Sequence, residues 1–133
     1  MKLLFKEGDI KNFTRKVSIA DTATFDSGQV HPVYATFAIA RDAEWACRLF
    51  VLEMKEEDEE GIGTYVSVNH ISPVLVGEEV VFEAIVKKIE KNEIVCSYKA
   101  TCGTRVIAEG ENKQKILKKT RVEELFRSIK LQG

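Results

Sequence analysis

What this sequence lacks narrows its chemistry before any motif is read. It has no excess of either charge: 20 Lys and Arg stand against 21 Asp and Glu, a formal net charge of −1. No basic stripe survives the interleaved acids, which argues against nucleic acid as the main partner. No apolar run approaches the ~20 residues of a membrane span, so no membrane partner is expected. The opening MKLLFKEGDIK carries charge too early for a signal peptide, and a cytoplasmic location follows as an expectation. Cysteine is scarce and odd in number. Cys47, Cys96 and Cys102 fall on apolar-patterned faces with no C-x-x-C or Cys/His spacing, so reduced buried thiols are expected rather than disulfides or zinc. Neither a metal nor a resident cofactor is expected. Repeats, low-complexity tracts and linkers are also missing. With 133 residues and 44% hydrophobic content, the chain reads as one domain over 1–133 with a single core.

What is there centres on Tyr34–Met54. Read as a helix, Ile39, Ala43, Ala46, Cys47, Phe50 and Met54 recur at three- and four-residue steps and make one apolar face. Glu44 sits on the edge of that face, with Ala40 and Cys47 one turn away. A buried carboxylate costs several kcal/mol unless it is paired or takes up a proton. Glu44 therefore needs a partner, and His70, on the next strand, is the best candidate.

Ahead of this helix, Met1–Asn12 reads as a loosely ordered lead-in, and alternation predicts a first strand over Arg15–Ala23. Asp26–Pro32 has turn chemistry, with Gly28 for backbone freedom and Pro32 biasing His31 away from helical angles. The helix begins either with Pro32 at its first helical position or with Thr36 as its N-cap. It ends in the acidic run Lys55–Glu60, where carboxylates oppose the macrodipole and solvated, frayed charge is expected. Gly63–Val74 alternates as a strand with Val66, Val68 and His70 on one face. Three antiparallel strands follow, Glu79–Ile89, Glu93–Cys102 and Thr104–Leu117, joined by short turns. Their inner rows are Val80, Phe82, Ala84 and Val86, then Ile94, Cys96, Tyr98 and Ala100. Last, Thr120-Arg-Val-Glu123 reads as a capping box opening a short helix whose stripe is Val122, Leu125, Phe126 and Ile129.

One long helix between a first strand and an antiparallel meander buries itself most economically if the sheet curls around it. The fold class is therefore α+β, and the order resembles the hotdog fold, with a short C-terminal helix added. The run Val33-Tyr-Ala-Thr36, then Glu44-Trp-Ala-Cys47, then Val68-Asn-His70 with Pro73 and Gly77 beyond, resembles the fluoroacetyl-CoA thioesterase-like family. The likeness spans roughly Val30–Leu117. It implies hydrolysis of an acyl-CoA thioester, of a small or short acyl group, with Thr36, Glu44 and His70 as the catalytic set. It also implies a homodimer or larger assembly with sites at the subunit interface.

In such a reaction His70 suits the proton shuttle, since an ordinary imidazole titrates near pH ~6.5. Glu44 serves either to orient and stabilise the imidazole or to attack the carbonyl itself. Thr36 serves the thioester or the reacting water, with free helix N–H groups as an oxyanion site. Eight residues of helix separate Thr36 from Glu44 by ~12 Å. Either Thr36 lies in chain folding back before the helix, or a second subunit completes the site.

Each residue also has a plain structural reading. Thr36 alone reads as a helix cap, His70 as a satisfied core histidine, and Glu44 as a partner for Arg41 or Arg48. Trp45 points off the stripe and reads as packing or interface. Cys47 is a poor nucleophile among apolar neighbours. Lys113, Lys115, Lys118 and Lys119 either meet CoA phosphates or form a solvated strand end. Two other functions stay open. Asp26 and His31 have the five-residue spacing of the pair in hotdog enoyl-CoA hydratases, without that motif's Asn-Pro, and a non-catalytic acyl-CoA-binding hotdog protein fits the same fold.

Overall fold

A computed structural model describes residues 1–133, the side chain of Val30 excepted. The strands are β1 (Ile10–Lys16), β2 (Thr22–Phe25), β3 (Gly28–Tyr34), β4 (Glu59–Val66), β5 (Asn69–His70), β6 (Glu79–Glu90), β7 (Glu93–Cys102) and β8 (Arg105–Lys118). The helices are α1 (Thr36–Met54) and α2 (Lys119–Gln132). The main sheet is antiparallel in the order β1-β6-β7-β8-β4, with β5 also on β8, and β2 and β3 form a separate ribbon. The sheet curls around α1, which touches β1, β4, β6, β7 and β8.

The meander and its rows are as expected. Val80, Phe82, Ala84, Val86, Ile94, Cys96, Tyr98 and Ala100 are all buried against Ile39, Ala43, Ala46, Cys47, Phe50 and Met54 of the helix. Burying a large aliphatic or aromatic side chain contributes about 1.5–3 kcal/mol, so these rows hold the wrap closed. Among the described residues, no helix is long and apolar enough to cross a membrane.

The N-terminal expectations need correction. The first strand is Ile10–Lys16, not Arg15–Ala23, so part of the supposed lead-in belongs to the sheet. Its inner row is Lys11, Phe13 and Arg15, and the two cations hide the alternation. Lys11 lies over the rings of Phe5 and Phe50, while Arg15 reaches Asp42. Ile19–Asp21 is a short 3-10 turn, in which Asp21 accepts hydrogen bonds from the Ser18 amide and hydroxyl. Asp26–Pro32 is a loop only at its start, since Gly28 (φ 106°) turns the chain into β3. Pro32 is tolerated there because the β2–β3 register skips from Ala23↔His31 to Thr22↔Tyr34, leaving it outside the paired positions.

Three further boundaries differ. Thr36 is the first helical residue and Ala35 the cap, so neither expected helix start holds. The acidic run does not fray from the helix; Glu59 and Glu60 open β4 opposite Lys118 and Leu117. The strand expected over Gly63–Val74 is two strands. A register shift between Gly63 and Tyr65 and the break after Val66 undo the alternation, leaving Val66 exposed and Val68 and His70 half-buried. At the C-terminus, Lys118 is the cap of α2 and Thr120 lies inside the helix. Of the expected stripe, Val122 is buried while Leu125, Phe126 and Ile129 are exposed.

Candidate active site

The start of α1 is pinned from several sides. Tyr34 donates its amide to Val74, and Ala35 donates to Asp21. Asp42, fully buried one turn and a half into the helix, accepts from Arg15 at 2.9 and 3.2 Å, from Arg41 at 3.0 Å twice, and from the Tyr34 hydroxyl. Arg41 also donates to Asp21 at 2.7 Å. Burial, then the adjoining Asp42 carboxylate, push the Tyr34 phenol well above its ordinary range, so it stays a donor. A buried carboxylate paired this fully ties α1 to β1 and fixes where Thr36 lies.

His70 is held by an equally local device. Ser67 is tied to β8 twice: its amide donates to the Glu111 carbonyl at 2.9 Å, and its hydroxyl accepts from the Glu111 amide at 2.9 Å. The Tyr98 hydroxyl donates to the Ser67 carbonyl at 2.6 Å. Gly110 admits this packing, because a β-carbon there would collide with that carbonyl. Beyond the break, His70 pairs with Ala108, and Ile71 and Ser72 both donate to the Ile107 carbonyl.

These two anchors bring Thr36 and His70 together. Thr36 Oγ1 lies 2.9 Å from His70 Nδ1, and His70 Nε2 lies 3.1 Å from the Ser72 carbonyl. A carbonyl only accepts, so Nε2 carries the ring proton and Nδ1 of the neutral imidazole accepts from the Thr36 hydroxyl. A hydroxyl donating into an imidazole whose far nitrogen is fixed has the geometry of an activated nucleophile or water-binding group. The pair is reachable from solvent, beside a depression of ≈ 220 Å³ lined by His70, Ile71, Ser72 and Pro73. The first amides of α1 stand beside it without intrahelical partners.

Glu44 is not part of this pair within one chain, which corrects the expectation that His70 is its partner. Its Oε1 accepts from Asn112 Nδ2 at 3.4 Å, and its carboxylate packs on Gly63. Neither arginine expected as a structural partner binds it: Arg41 is committed to Asp21 and Asp42, and Arg48 donates to the Gly61 carbonyl at 2.8 Å. Thr36 and Glu44 do lie in one regular helix, so the chain does not fold back to join them.

The remaining candidates fall away from this centre. Asp26 is exposed in the β2–β3 turn and His31 is exposed on β3; among the described residues neither side chain makes a hydrogen bond. Cys47 is buried, and the neighbouring Cys96 thiol together with burial drives its own thiol far above the ordinary range, which disqualifies it as a nucleophile. Trp45 is exposed. Lys118 pairs with Asp58 at 2.8 Å and Lys113 lies over the Tyr65 ring. Sequence reasoning missed Ser72, Gly63, Asn112 and Gln114. The last two had a signal: alternation along β8 sets them on the same face as buried Ile116, polar groups in a core row.

With this geometry in hand, likeness to known proteins can be stated. The sequence model of the family described as fluoroacetyl-CoA-specific thioesterase matches residues 17–120. A Thermus thermophilus structure described as a thioesterase superfamily member is 37% identical, with 96% of this chain and 94% of that one covered, at a TM-score of 0.90. A hot-dog-like protein from Thermanaerovibrio acidaminovorans is 21% identical over 94% and 93% of the two chains, at a TM-score of 0.85. A structure of the fluoroacetyl-CoA thioesterase is 20% identical over 93% and 96%, also at 0.85. No protein with a curated description matches the sequence. The two more distant structures speak for the fold alone, which is the hotdog fold.

Proposed function

The chain belongs to the fluoroacetyl-CoA-specific thioesterase family and is a thioester hydrolase, and on that premise we propose that it cleaves small or short acyl-CoA thioesters with Thr36, His70 and Glu44. The observation that carries this reading is the 2.9 Å contact of Thr36 Oγ1 with His70 Nδ1, backed by the Ser72 carbonyl on Nε2. Attack on the thioester carbonyl, by Thr36 Oγ1 or by a water it holds, passes a proton to His70 Nδ1. The imidazolium returns that proton to the departing CoA thiolate, and free α1 amides receive the oxyanion. If Thr36 attacks, water then hydrolyses the acyl-threonine by the same shuttle. The reaction so written needs no resident cofactor. The short acyl group rests on the family match. The free thiols of Cys47, Cys96 and Cys102 support the cytoplasmic location expected from sequence.

A homodimer brings Glu44 to this pair. β4 ends the sheet order, and its exposed half is Gly63–Val66, an open edge suited to pairing with a second copy. α1 and β4 run antiparallel, with Val51 beside Gly61 and Glu44 beside Gly63, so Ala40 lies near the middle of that exposed half. A two-fold axis there sets the two α1 helices antiparallel, with both Ala40 positions near it. Glu44 lies four residues, ~6 Å, to one side of the axis, and the second copy's Thr36 lies as far along its own helix toward the same side. Glu44 of one copy then faces Thr36 and His70 of the other, where its charge stabilises the imidazolium. A screen of acyl-CoAs with short, branched, aromatic and long acyl groups tests the proposal. Turnover concentrated in the short ones is expected, and tight binding of all without turnover would overturn it.

A further inference from the structure

We propose that Asn112 and Gln114 form a directional amide relay that positions the Glu44 carboxylate, making them positioning residues for the hydrolysis; this rests on the reading of Glu44 given above. Both side chains are buried, Asn112 at 1% and Gln114 at 0% exposure, in a row of β8 otherwise continued by Ile116. Two amides in an apolar row cost stability unless they are bonded, so their bonds explain their presence. Gln114 Nε2 donates to Asn112 Oδ1 at 2.8 Å and to the Glu44 backbone carbonyl at 3.1 Å. Asn112 Nδ2 in turn donates to the Tyr65 carbonyl at 2.9 Å and to Glu44 Oε1 at 3.4 Å.

The order of donors gives the relay its direction. A primary amide can rotate by half a turn with little change of shape, and a free Asn112 could present either its oxygen or its nitrogen to Glu44. Gln114 removes that freedom. Its NH2 group holds Asn112 Oδ1, which leaves only N–H groups facing the carboxylate and the β4 backbone. The cost is visible: Gln114 Oε1 is buried and, among the described residues, is without a hydrogen-bond partner. An arrangement selected for stability alone would satisfy that acceptor. Here Gln114 uses its donors on Glu44 and Asn112 and leaves its acceptor bare. Gly63 closes the other side, since the carboxylate occupies the space of its missing β-carbon. Glu44 is thus held between a bare backbone and one N–H donor.

Kinetics of Gln114→Met, Asn112→Leu and Asn112→Asp in the full-length protein, alone and combined with Glu44→Gln, test the relay. Gln114→Met keeps length but takes the donor away from buried Asn112 Oδ1 and the Glu44 carbonyl, so its melting temperature should drop by a few degrees, while kcat per folded molecule falls about tenfold or more at unchanged KM, since small misplacements of a reacting group cost up to about 10²-fold. Asn112→Leu should behave alike. Asn112→Asp sets a carboxylate against Glu44, so its kcat should recover as pH falls and the introduced carboxyl gains a proton to donate, a response that a merely structural role would not give. In the Glu44→Gln background the loss from Gln114→Met should vanish, because the relay acts only through that carboxylate. Wild-type kcat in Gln114→Met and Asn112→Leu, or an undiminished further loss in the Glu44→Gln background, would overturn the relay while leaving Glu44 in place. Wild-type turnover of Glu44→Gln alone would instead remove the reading of Glu44, and this inference with it.

Discussion

Glu44 stands where Gly63 has no side chain: a β-carbon at position 63 would overlap the Glu44 carboxylate. Two residues earlier on the same strand, a β-carbon at Gly61 would meet Val51 instead. The two glycines therefore predict opposite phenotypes. Gly63→Ala displaces the end of a flexible side chain, so turnover should fall while the melting temperature changes little. Gly61→Ala presses on a packed valine and should cost about 1–3 kcal/mol of stability, with turnover per folded molecule retained. Thermal melts and kcat of both variants check the contrast.

Glu44→Gln separates chemistry from packing at the carboxylate itself. The amide keeps the size of the side chain and can still meet Asn112, so melting should move by only a few degrees. Turnover should fall by orders of magnitude, because the charge that stabilises a protonated imidazole is gone. Wild-type turnover would end the assignment.

His70→Ala should lower hydrolysis by ~10²-fold or more with the fold intact, as expected for loss of a general acid–base group. Thr36→Ala should fall with it, since its hydroxyl donates to that ring. An active His70→Ala protein would return attention to Asp26 and His31.

A site shared between two copies can be tested by mixing. Thr36→Ala and Glu44→Gln are each expected to be inactive, yet a heterodimer of the two carries one wild-type pairing. After exchange of subunits at equal amounts, about a quarter of the sites of the wild-type dimer should work. No recovery, or sedimentation as a folded monomer at micromolar concentration, would contradict the shared site.

The Asp21 carboxyl gives a pH signature. Burial would raise it, but hydrogen bonds from the Arg41 guanidinium and from the Ser18 amide and hydroxyl outweigh burial and hold it below its ordinary 3.8. A depressed carboxyl contributes stability that is complete above its unfolded value and lost as pH falls through the folded one. The melting-temperature gap between wild type and Asp21→Asn should thus be flat at neutral pH and close below 3.8. A gap that widens on acidification would reverse the sign and refute the pairing.

The sequence by itself determined the parts whose burial repeats with the period of their own element. The α1 stripe and the inner rows of β6 and β7 are apolar at every expected position, so periodicity alone reveals them. Thr36, Glu44 and His70 became candidates only through the family resemblance, since each alone reads as a cap, a core group or a structural partner. The partner of each was not legible. Thr36 finds His70 across 34 residues, and Glu44 finds Asn112 across 68. β1 escaped notice because its inward row carries Lys11 and Arg15, each paired with a carboxylate elsewhere in the chain, Glu53 and Asp42. A polar residue becomes an acceptable core residue only when a distant group supplies its hydrogen bond or countercharge. Periodicity records which side of an element is buried, and only the tertiary structure decides what waits there.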